Sequence, residues 1–352
     1  MTPAGETAEG PELLRSSAEA GIHRIALPTP FAVGRVNCYL IEDEPLTLVD
    51  TGPNSGKSLD ELEVALAGLG HAIEDLELIV ITHQHMDHLG LTEVIVRRSG
   101  AEVAALDLLA SYLEHFSAAV RADDAFSMEI MRRNGVPDDL ATALSTVGAA
   151  FRAFGSSAQI TRPLADGDEL ALGARRLQVM HRPGHSPSDT LFWDTDRRIL
   201  LGGDHLLPHI SSNPLVSRPL DGSGDGERPR ALIGYIASMR LTRELPVTVV
   251  LPGHGDPFRD HVGLIDERLR MHGRRADKLL GMLAQGPLTA FELAQRMWGN
   301  IAVTQAYLTL SEVLGHMDLL LADGRAVEIA EDGVSRFWPT QSSIALGPSA
   351  AG

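Results

Sequence analysis

The densest chemistry in this chain lies in Thr82-His83-Gln84-His85-Met86-Asp87-His88, where three imidazoles and a carboxylate crowd one short segment. A helix turning about 100° per residue would scatter them over several faces, and a strand would place His88 opposite the other three. Neither regular state gathers them, so the spacing predicts a turn at the end of a strand, wrapped around a central charge. Imidazole nitrogens and a carboxylate at this density suit a divalent metal, whose bonds to such atoms are roughly 2.0–2.2 Å long. A catalytic metal commonly keeps three protein ligands and one open position, so four clustered ligands point to two metals. Three further candidates, His185, Asp204 and His254, follow other apolar runs. The expected sets are His83, His85 and His185 for one ion and Asp87, His88 and His254 for the other, with Asp204 bridging both.

The chemistry expected of such a centre follows from charge. Two divalent cations roughly 3.5–4 Å apart lower the pKa of a bridging water, so hydroxide is present at neutral pH without a dedicated protein base. That hydroxide would attack a carbonyl carbon while one metal polarises the carbonyl oxygen and the other holds the leaving group. Asp87 or Asp204 would shuttle the proton. Zinc is the expected metal, with iron and manganese compatible with the same ligands. The remaining histidines, His23, His71, His115, His181, His205, His209, His261, His272 and His316, read as surface or core residues, of which His181, His205 and His209 flank the site.

The elements that must position these groups are short apolar runs at residues 46–49, 78–81, 177–180, 199–201 and 247–251, which read as buried strands. Each is followed by a polar cluster: Asp50-Thr51-Gly52, the His-rich segment, His181 to His185, Gly202-Gly203-Asp204 and Pro252-Gly253-His254-Gly255. The single cysteine, Cys38, sits in an apolar run at 36–41 and has no partner for an internal disulfide, which fits a reducing compartment. A helical insertion is expected over about 106–155. In its second part Pro137, Asp138 and Asp139 suit a first helical turn, and Leu140, Leu144, Val147, Phe151 and Phe154 recur at helical spacing. The insertion reads as a plain structural helix or as a lid over the site. Residues 218–226 read as a surface loop. From 262 onward, helices near 262–283, 290–298 and 304–322 precede two strands at 326–329 and 334–337, a winged-helix order. The expected division is a flexible start over 1–21, a catalytic domain over 22–261, a winged-helix-like domain over 262–340 and a flexible tail over 341–352.

The pattern His-x-His-x-Asp-His at His83, His85, Asp87 and His88, followed in order by His185, Asp204 and His254, resembles the metallo-β-lactamase superfamily over roughly residues 22–260. The resemblance implies an α/β protein, an αββα sandwich with the metals at one edge. It also implies that Asp50, in Val49-Asp50-Thr51-Gly52, supports a ligand histidine. A carboxylate at Asp204 is similar to the glyoxalase II and lactonase branches, whereas antibiotic-hydrolysing members with a Cys ligand place a thiolate there. No flavodoxin-like segment follows, which sets aside the oxygen-reducing members.

Charge narrows the substrate. Lys and Arg number 30 against 47 Asp and Glu, a formal charge of −17, and a surface this acidic repels phosphate backbones. A winged-helix tail on such a core is similar to endoribonucleases. Yet the three arginines of residues 281–340 face seven carboxylates, and residues 304–322 contain no Lys or Arg. Nucleic acid is therefore not an expected partner, and the stripe of Leu308, Val313, Leu314, Leu319 and Leu320 reads as packing against the catalytic domain or a second subunit of a homodimer. No run is long and apolar enough to span a membrane, and no signal pattern opens the chain, so a cytoplasmic protein without membrane contact is expected. The segment after Asp204 offers His209, Ser212 and Asn213 to line the pocket, and Arg218 or Arg230 would meet the phosphates of a coenzyme-A-type thioester. The expected function is a dinuclear metal-dependent hydrolase of a small-molecule thioester or lactone. The alternatives are an endoribonuclease-type phosphodiesterase and a β-lactam amide hydrolase.

Overall fold

The structure, a computed structural model, describes residues 9–222 and 228–340. One sheet is built from β1 (Ile22–Leu27), β2 (Val36–Ile41), β3 (Thr47–Val49), β4 (Leu78–Val80), β5 (Glu102–Leu106) and β6 (Arg162–Leu164), neighbours in that order. Its first three strands are antiparallel and its last four run parallel. The second sheet contains β7 (Glu169–Leu172), β8 (Arg175–His181), β9 (Thr190–Asp194), β10 (Ile199–Gly203) and β11 (Val249–Pro252), in the spatial order β11-β10-β9-β8-β7. Only its β10–β11 pair is parallel.

Alternation along the strands explains why the sheets stack. Tyr39, Ile41, Val49, Leu78, Val80 and Ala104 point to the side where Leu177, Val179, Phe192, Leu201, Val249 and Leu251 of the second sheet meet them. Their neighbours Cys38, Leu40, Leu48, Ile79 and Val103 face the other way, against Leu62 and Leu66 of a helix over Gly56–Gly68 and Ile95 of one over Thr92–Ser99. On the second sheet Met180, Leu191, Leu200 and Val250 likewise turn outward, to Leu232, Tyr235 and Met239 of a helix over Ala231–Arg243 and Ile265 of one over His261–Met282. Helix, sheet, sheet, helix is the αββα sandwich, with both sheets covered as continuous apolar strands require.

In chain order the helices are α1 (Gly10–Glu19), α2 (Gly56–Gly68), α3 (Met86–Leu89), α4 (Thr92–Ser99), α5 (Ala110–Glu114), α6 (Phe116–Arg133), α7 (Asp138–Phe151), α8 (Ala231–Arg243), α9 (His261–Met282), α10 (Ala290–Trp298), α11 (Ile301–Thr304) and α12 (Ala306–Ala322). A hairpin of β12 (Ala326–Glu331) and β13 (Val334–Pro339) follows. Among the described residues no helix is long and apolar enough to cross a membrane.

Residues 10–19 correct the expectation of a flexible start over 1–21. They form α1, whose Leu13 is completely buried between the sheets. A helix this short, held by so few buried positions, leaves little periodicity to read. Residues 1–8, the tail 341–352 and positions 223–226 of the expected loop lie outside the described residues.

The helical insertion is part of a packed unit. Ile130 and Met131 of α6, Val136 and Ala141 share one core with Leu279 of α9, Leu293 of α10 and Leu310, Val313 and Leu314 of α12. The turn between α6 and α7 is pinned: Phe291 N–H donates to Asn134 O at 3.1 Å. A Cβ on Gly135 would stand 2.8 Å from Thr289 Oγ1. Leu308, expected in the buried stripe, is 43% exposed, whereas Val313, Leu314 and Leu320 are buried.

Candidate metal centre

Strands β3 and β4 of one sheet and β8, β10 and β11 of the other all point their C-terminal ends to one edge of the sandwich. There the chain leaves each strand through a polar turn, and these turns carry the residues singled out above. Asp50 follows β3, His83 to His88 follow β4 and end in α3, His185 follows β8, Asp204 follows β10 and His254 follows β11.

The side chains converge in overlapping groups, one of which, His83, His88 and Asp204, links the other two. His83 Nε2 and His185 Nε2 stand 3.1 and 2.9 Å from His85 Nδ1, and His83, His85 and His185 together have the spacing of a metal site. Asp87, His88 and His254 form the second group, with His254 Nε2 3.3 Å from Asp87 Oδ2. Asp204 lies between the groups: its carboxylate oxygens are 3.4 Å from His88 Nε2, 3.6 Å from His185 Nε2 and 3.5 Å from His254 Nε2.

Four of the five imidazoles, all but His85, are aimed by a bond from the other nitrogen, the arrangement that fixes tautomer and direction in metal sites. His88 Nδ1–H donates to Asp50 Oδ2 at 2.7 Å, His254 Nδ1–H to Arg35 O at 2.8 Å and His185 Nδ1–H to Asn213 O at 3.1 Å. His83 Nδ1 meets Thr82 Oγ1 at 2.9 Å, and that hydroxyl donates to Asp50 Oδ2 at 2.8 Å. Asp50 therefore supports two imidazoles, one directly and one through Thr82. Thr82 was missed in the sequence, where a threonine before a His-rich turn carries no distinguishing signal. Asn37 was missed as well; its Nδ2 donates to Pro252 O at 2.9 Å and Gly255 O at 2.7 Å, bracing the loop that presents His254.

The electrostatics call for a cation. Burial by itself would lower the His88 imidazole, but the carboxylates of Asp204, Asp50 and Asp87 outweigh it and raise His88 well above its ordinary value. His254 is raised in the same way, burial being outweighed by Asp204 and Asp87. Burial works against the Asp204 carboxylate too, yet His254, His88 and His185 hold it well below the usual range. On the other side of the site, burial and then the neighbouring His185 push His85 down to about 3, so it presents a neutral ring. His88 Nε2, Asp204 Oδ1 and His254 Nε2 are buried with no hydrogen-bond partner. Three orphaned donor and ligand atoms facing one another are expensive unless an ion satisfies them. Space is kept for them by Gly253, where a Cβ would fall 2.2 Å from Asp204 Oδ1 and 2.9 Å from His88 Cε1.

The three expected substrate contacts fare differently. The Ser212 hydroxyl is buried and donates to the Asp204 backbone carbonyl, bracing the loop of a candidate ligand. Asn213 Nδ2 donates to Leu308 O at 2.9 Å, its backbone carbonyl accepts from His185 Nδ1–H, and its side-chain Oδ1 is buried without a partner. His209 is exposed in the same loop. Arg218 is occupied by Asp123 at 3.1 Å.

One cluster apart from the centre also has metal-like spacing: His272, Glu312 and His316, all buried between α9 and α12. Its carboxylate is already paired with Arg275. His272 Nδ1 and His316 Nε2 lie 3.0 Å apart, a distance one shared proton satisfies. A second positive charge beside that guanidinium would be repelled, so these residues form a polar knot in the core.

Comparison with known proteins agrees with the geometry. The family profile described as the Metallo-beta-lactamase superfamily matches residues 32–254. A Bacillus subtilis (strain 168) protein named "Probable metallo-hydrolase YqjP" is 32% identical over 314 residues, 89% of this chain and 94% of that one. The human protein named acyl-coenzyme A thioesterase MBLAC2 is 32% identical over 189 residues, 51% of this chain and 57% of its own. Among solved structures, a metallo-beta-lactamase family protein of Thermus thermophilus superposes with a TM-score of 0.77 at 25% identity, covering 91% of this chain and 99% of that one.

Proposed function

This chain belongs to the metallo-β-lactamase superfamily, and from that premise we propose that it is a dinuclear hydrolase of small-molecule acyl thioesters. Metal-dependent hydrolysis follows from the family and its hydrolase relatives. The observation that carries the two-ion reading is Asp204 standing between two complete ligand groups with its Oδ1 unpartnered. His83, His85 and His185 would hold one ion, Asp87, His88 and His254 the other, and Asp204 would touch both. Zinc is the ion that this nitrogen and oxygen set suits by default. When bound, the pair supplies a Lewis acid for the carbonyl oxygen and lowers the pKa of water toward neutrality.

The chain's own residues do the rest. In the reaction a water O–H adds across the acyl C–S bond: a C–O bond forms, the C–S bond breaks, and a carboxylic acid and a thiol leave. Asp87, 3.3 Å from His254 Nε2 through its Oδ2, is assigned to carry the water's proton to the departing sulfur. Asp204 and Asp50 keep the imidazoles directed inward while charge builds at the centre.

Two apolar clusters, each beside a chain segment that adjoins a ligand-bearing turn, support an acyl thioester over a phosphodiester. Phe31, on the loop between β1 and β2, has its ring 5.6 Å from Phe151 and 6.2 Å from Phe154 at the end of the insertion. Phe154 O accepts from Asn54 N–H at 2.7 Å, beside Gly90, which directly follows α3. This aromatic trio suits the acyl group. On the side of His185 a cavity of about 290 Å³ is lined by Pro183, Leu215, Leu220 and Ala231, and suits the thiol arm. The human relative named an acyl-coenzyme A thioesterase points the same way.

Elemental analysis of purified protein, paired with a panel of acyl thioesters, lactones and a cephalosporin assayed with and without chelator, tests the reading. Two ions per chain, one in His85→Ala, and chelator-sensitive release of thiol are expected. Unchanged metal content in His85→Ala would overturn the ligand assignment, and lactone or cephalosporin turnover without thioester turnover would overturn the substrate class.

A further inference from the structure

In a chain of formal charge −17, one cavity of about 320 Å³ gathers three arginines, Arg133, Arg228 and Arg230. It opens where the end of α6, the segment leading into α8, the helix α12 and the β12–β13 hairpin meet. Arg228 is committed, gripping Asp318 with both arms of its guanidinium at 2.5 and 2.6 Å, with Glu328 a further 3.9 Å contact. Arg133 and Arg230 are exposed and form no ion pair among the described residues. Three guanidinium groups against the carboxylates of Asp318 and Glu328 leave this cavity net positive on an otherwise acidic molecule.

Arg230 also lines the apolar cavity beside the metal centre, the one bordered by Gly184 and Ser186 on either side of His185. The two spaces therefore adjoin at this side chain, which lines both. The helix α8 starts at the same place, with no side-chain cap and no acidic residue in its first turn, so its free N–H groups add partial positive charge there. In order of distance along the chain from His185, the mostly apolar cavity, which also holds Asp221, comes first and the arginine-lined one beyond it.

Resting on the thioesterase reading above, we infer that these two adjoining cavities hold the leaving thiol arm of the substrate, and that the arm ends in phosphates: a free coenzyme-A-type thiol. The pantetheine portion occupies the apolar cavity, and the phosphates are bound by Arg133 and Arg230, whose planar forks match phosphate oxygens two at a time. The helical insertion, the segment leading into α8 and the C-terminal elements each contribute one wall of the cationic chamber. This gives the C-terminal helices and hairpin a part in substrate binding that the metal centre does not ask of them.

Calorimetric titration of the metal-loaded protein with free coenzyme A, pantetheine and adenosine 3′,5′-bisphosphate tests this without any turnover. Coenzyme A should bind more tightly than pantetheine, the bisphosphate should compete with it, and raised salt should weaken both. An Arg133→Ala/Arg230→Ala double variant with an unaltered melting temperature should bind coenzyme A at least about tenfold more weakly, the size of one lost charge-assisted hydrogen bond. It should also lose the wild-type preference for an acyl-coenzyme A over the same acyl group on pantetheine. Equal affinity for coenzyme A and pantetheine, or undiminished coenzyme A binding by the double variant, would overturn the site. Failure to compete by the bisphosphate would point to an arm carried on a protein and overturn the free coenzyme. If thioesters of neither kind are cleaved while arginine-dependent coenzyme A binding persists, the phosphate site stands and the thioesterase reading falls.

Discussion

At Asp50 the backbone turns into the left-handed region, φ 56°, a conformation that aspartate tolerates better than most side chains. That turn drops a buried carboxylate beneath the metal-site histidines, where it accepts from Thr82 N–H at 2.9 Å, Thr82 Oγ1 at 2.8 Å and His88 Nδ1–H at 2.7 Å. An Asp50→Asn substitution would keep the size but present an N–H₂ where an acceptor is needed, and leave His88 free to rotate. We expect it to lower metal affinity roughly 10–100-fold, as loss of such supporting bonds commonly does, and at fixed free metal to lower the melting temperature of the metal-loaded protein accordingly. Competition with a chromogenic chelator measures this, and an unaltered affinity would show that Asp50 serves only the fold. The seven ligand candidates were legible as residues, because a crowded His/Asp segment satisfies no regular structure. The supporting groups Thr82 and Asn37 were not, since ordinary polar residues acquire a role only from what stands opposite them.

Among the elements, α1 shows how little a short helix needs to announce itself. Leu13 sits with Ile22, Ile41 and Leu172 in the layer between the two sheets, and Arg259 reaches across to Glu12 at 3.0 Å. Replacing a fully buried leucine by alanine leaves a cavity that neighbours fill only in part, so Leu13→Ala should cost about 2–5 kcal/mol. Urea denaturation measures the loss; a change no larger than that of an exposed substitution on the same helix would mean α1 is only loosely attached. The core strands were readable because alternation and apolar runs are local properties. Their pairing order was not, because β3 finds β4 and β10 finds β11 only through crossovers that carry no local mark.

Over the whole molecule, the insertion and the C-terminal unit share one core, and the polar knot of His272, Glu312 and His316 lies between α9 and α12, beside Tyr235 of α8. Burial, followed by His316, Arg275 and Arg268, depresses the His272 imidazole to about 3, and burial lowers His316 as well. An unfolded histidine takes up its proton near pH ~6.5. Between that value and the folded one the unfolded chain binds more protons, so this contribution to stability is complete above about pH 6.5 and is lost as pH falls. The slope for His272 should reach about 1.4 kcal/mol per pH unit in that window. Urea midpoints for wild type and a His272→Gln variant, compared at neutral and mildly acidic pH, test it; equal slopes would overturn the account. The formal charge of −17 acts at this scale too, since against a field of that sign the arginine-lined cavity is a place where a phosphate is welcome.

The amino-acid sequence determined the chemistry: which seven side chains could bind ions, that they follow strands, and that a helical insertion and a helix-rich C-terminal unit accompany them. These follow from residue type and spacing, which are complete in one dimension. The tertiary structure decided what those residues are held against, because contact between separate segments depends on how two sheets and their covering helices close over each other. Hence Asp50 reaching two imidazoles, the braces that Ser212 and Asn213 provide, and Arg133 and Arg230 lining one cavity could be known only once the chain was folded.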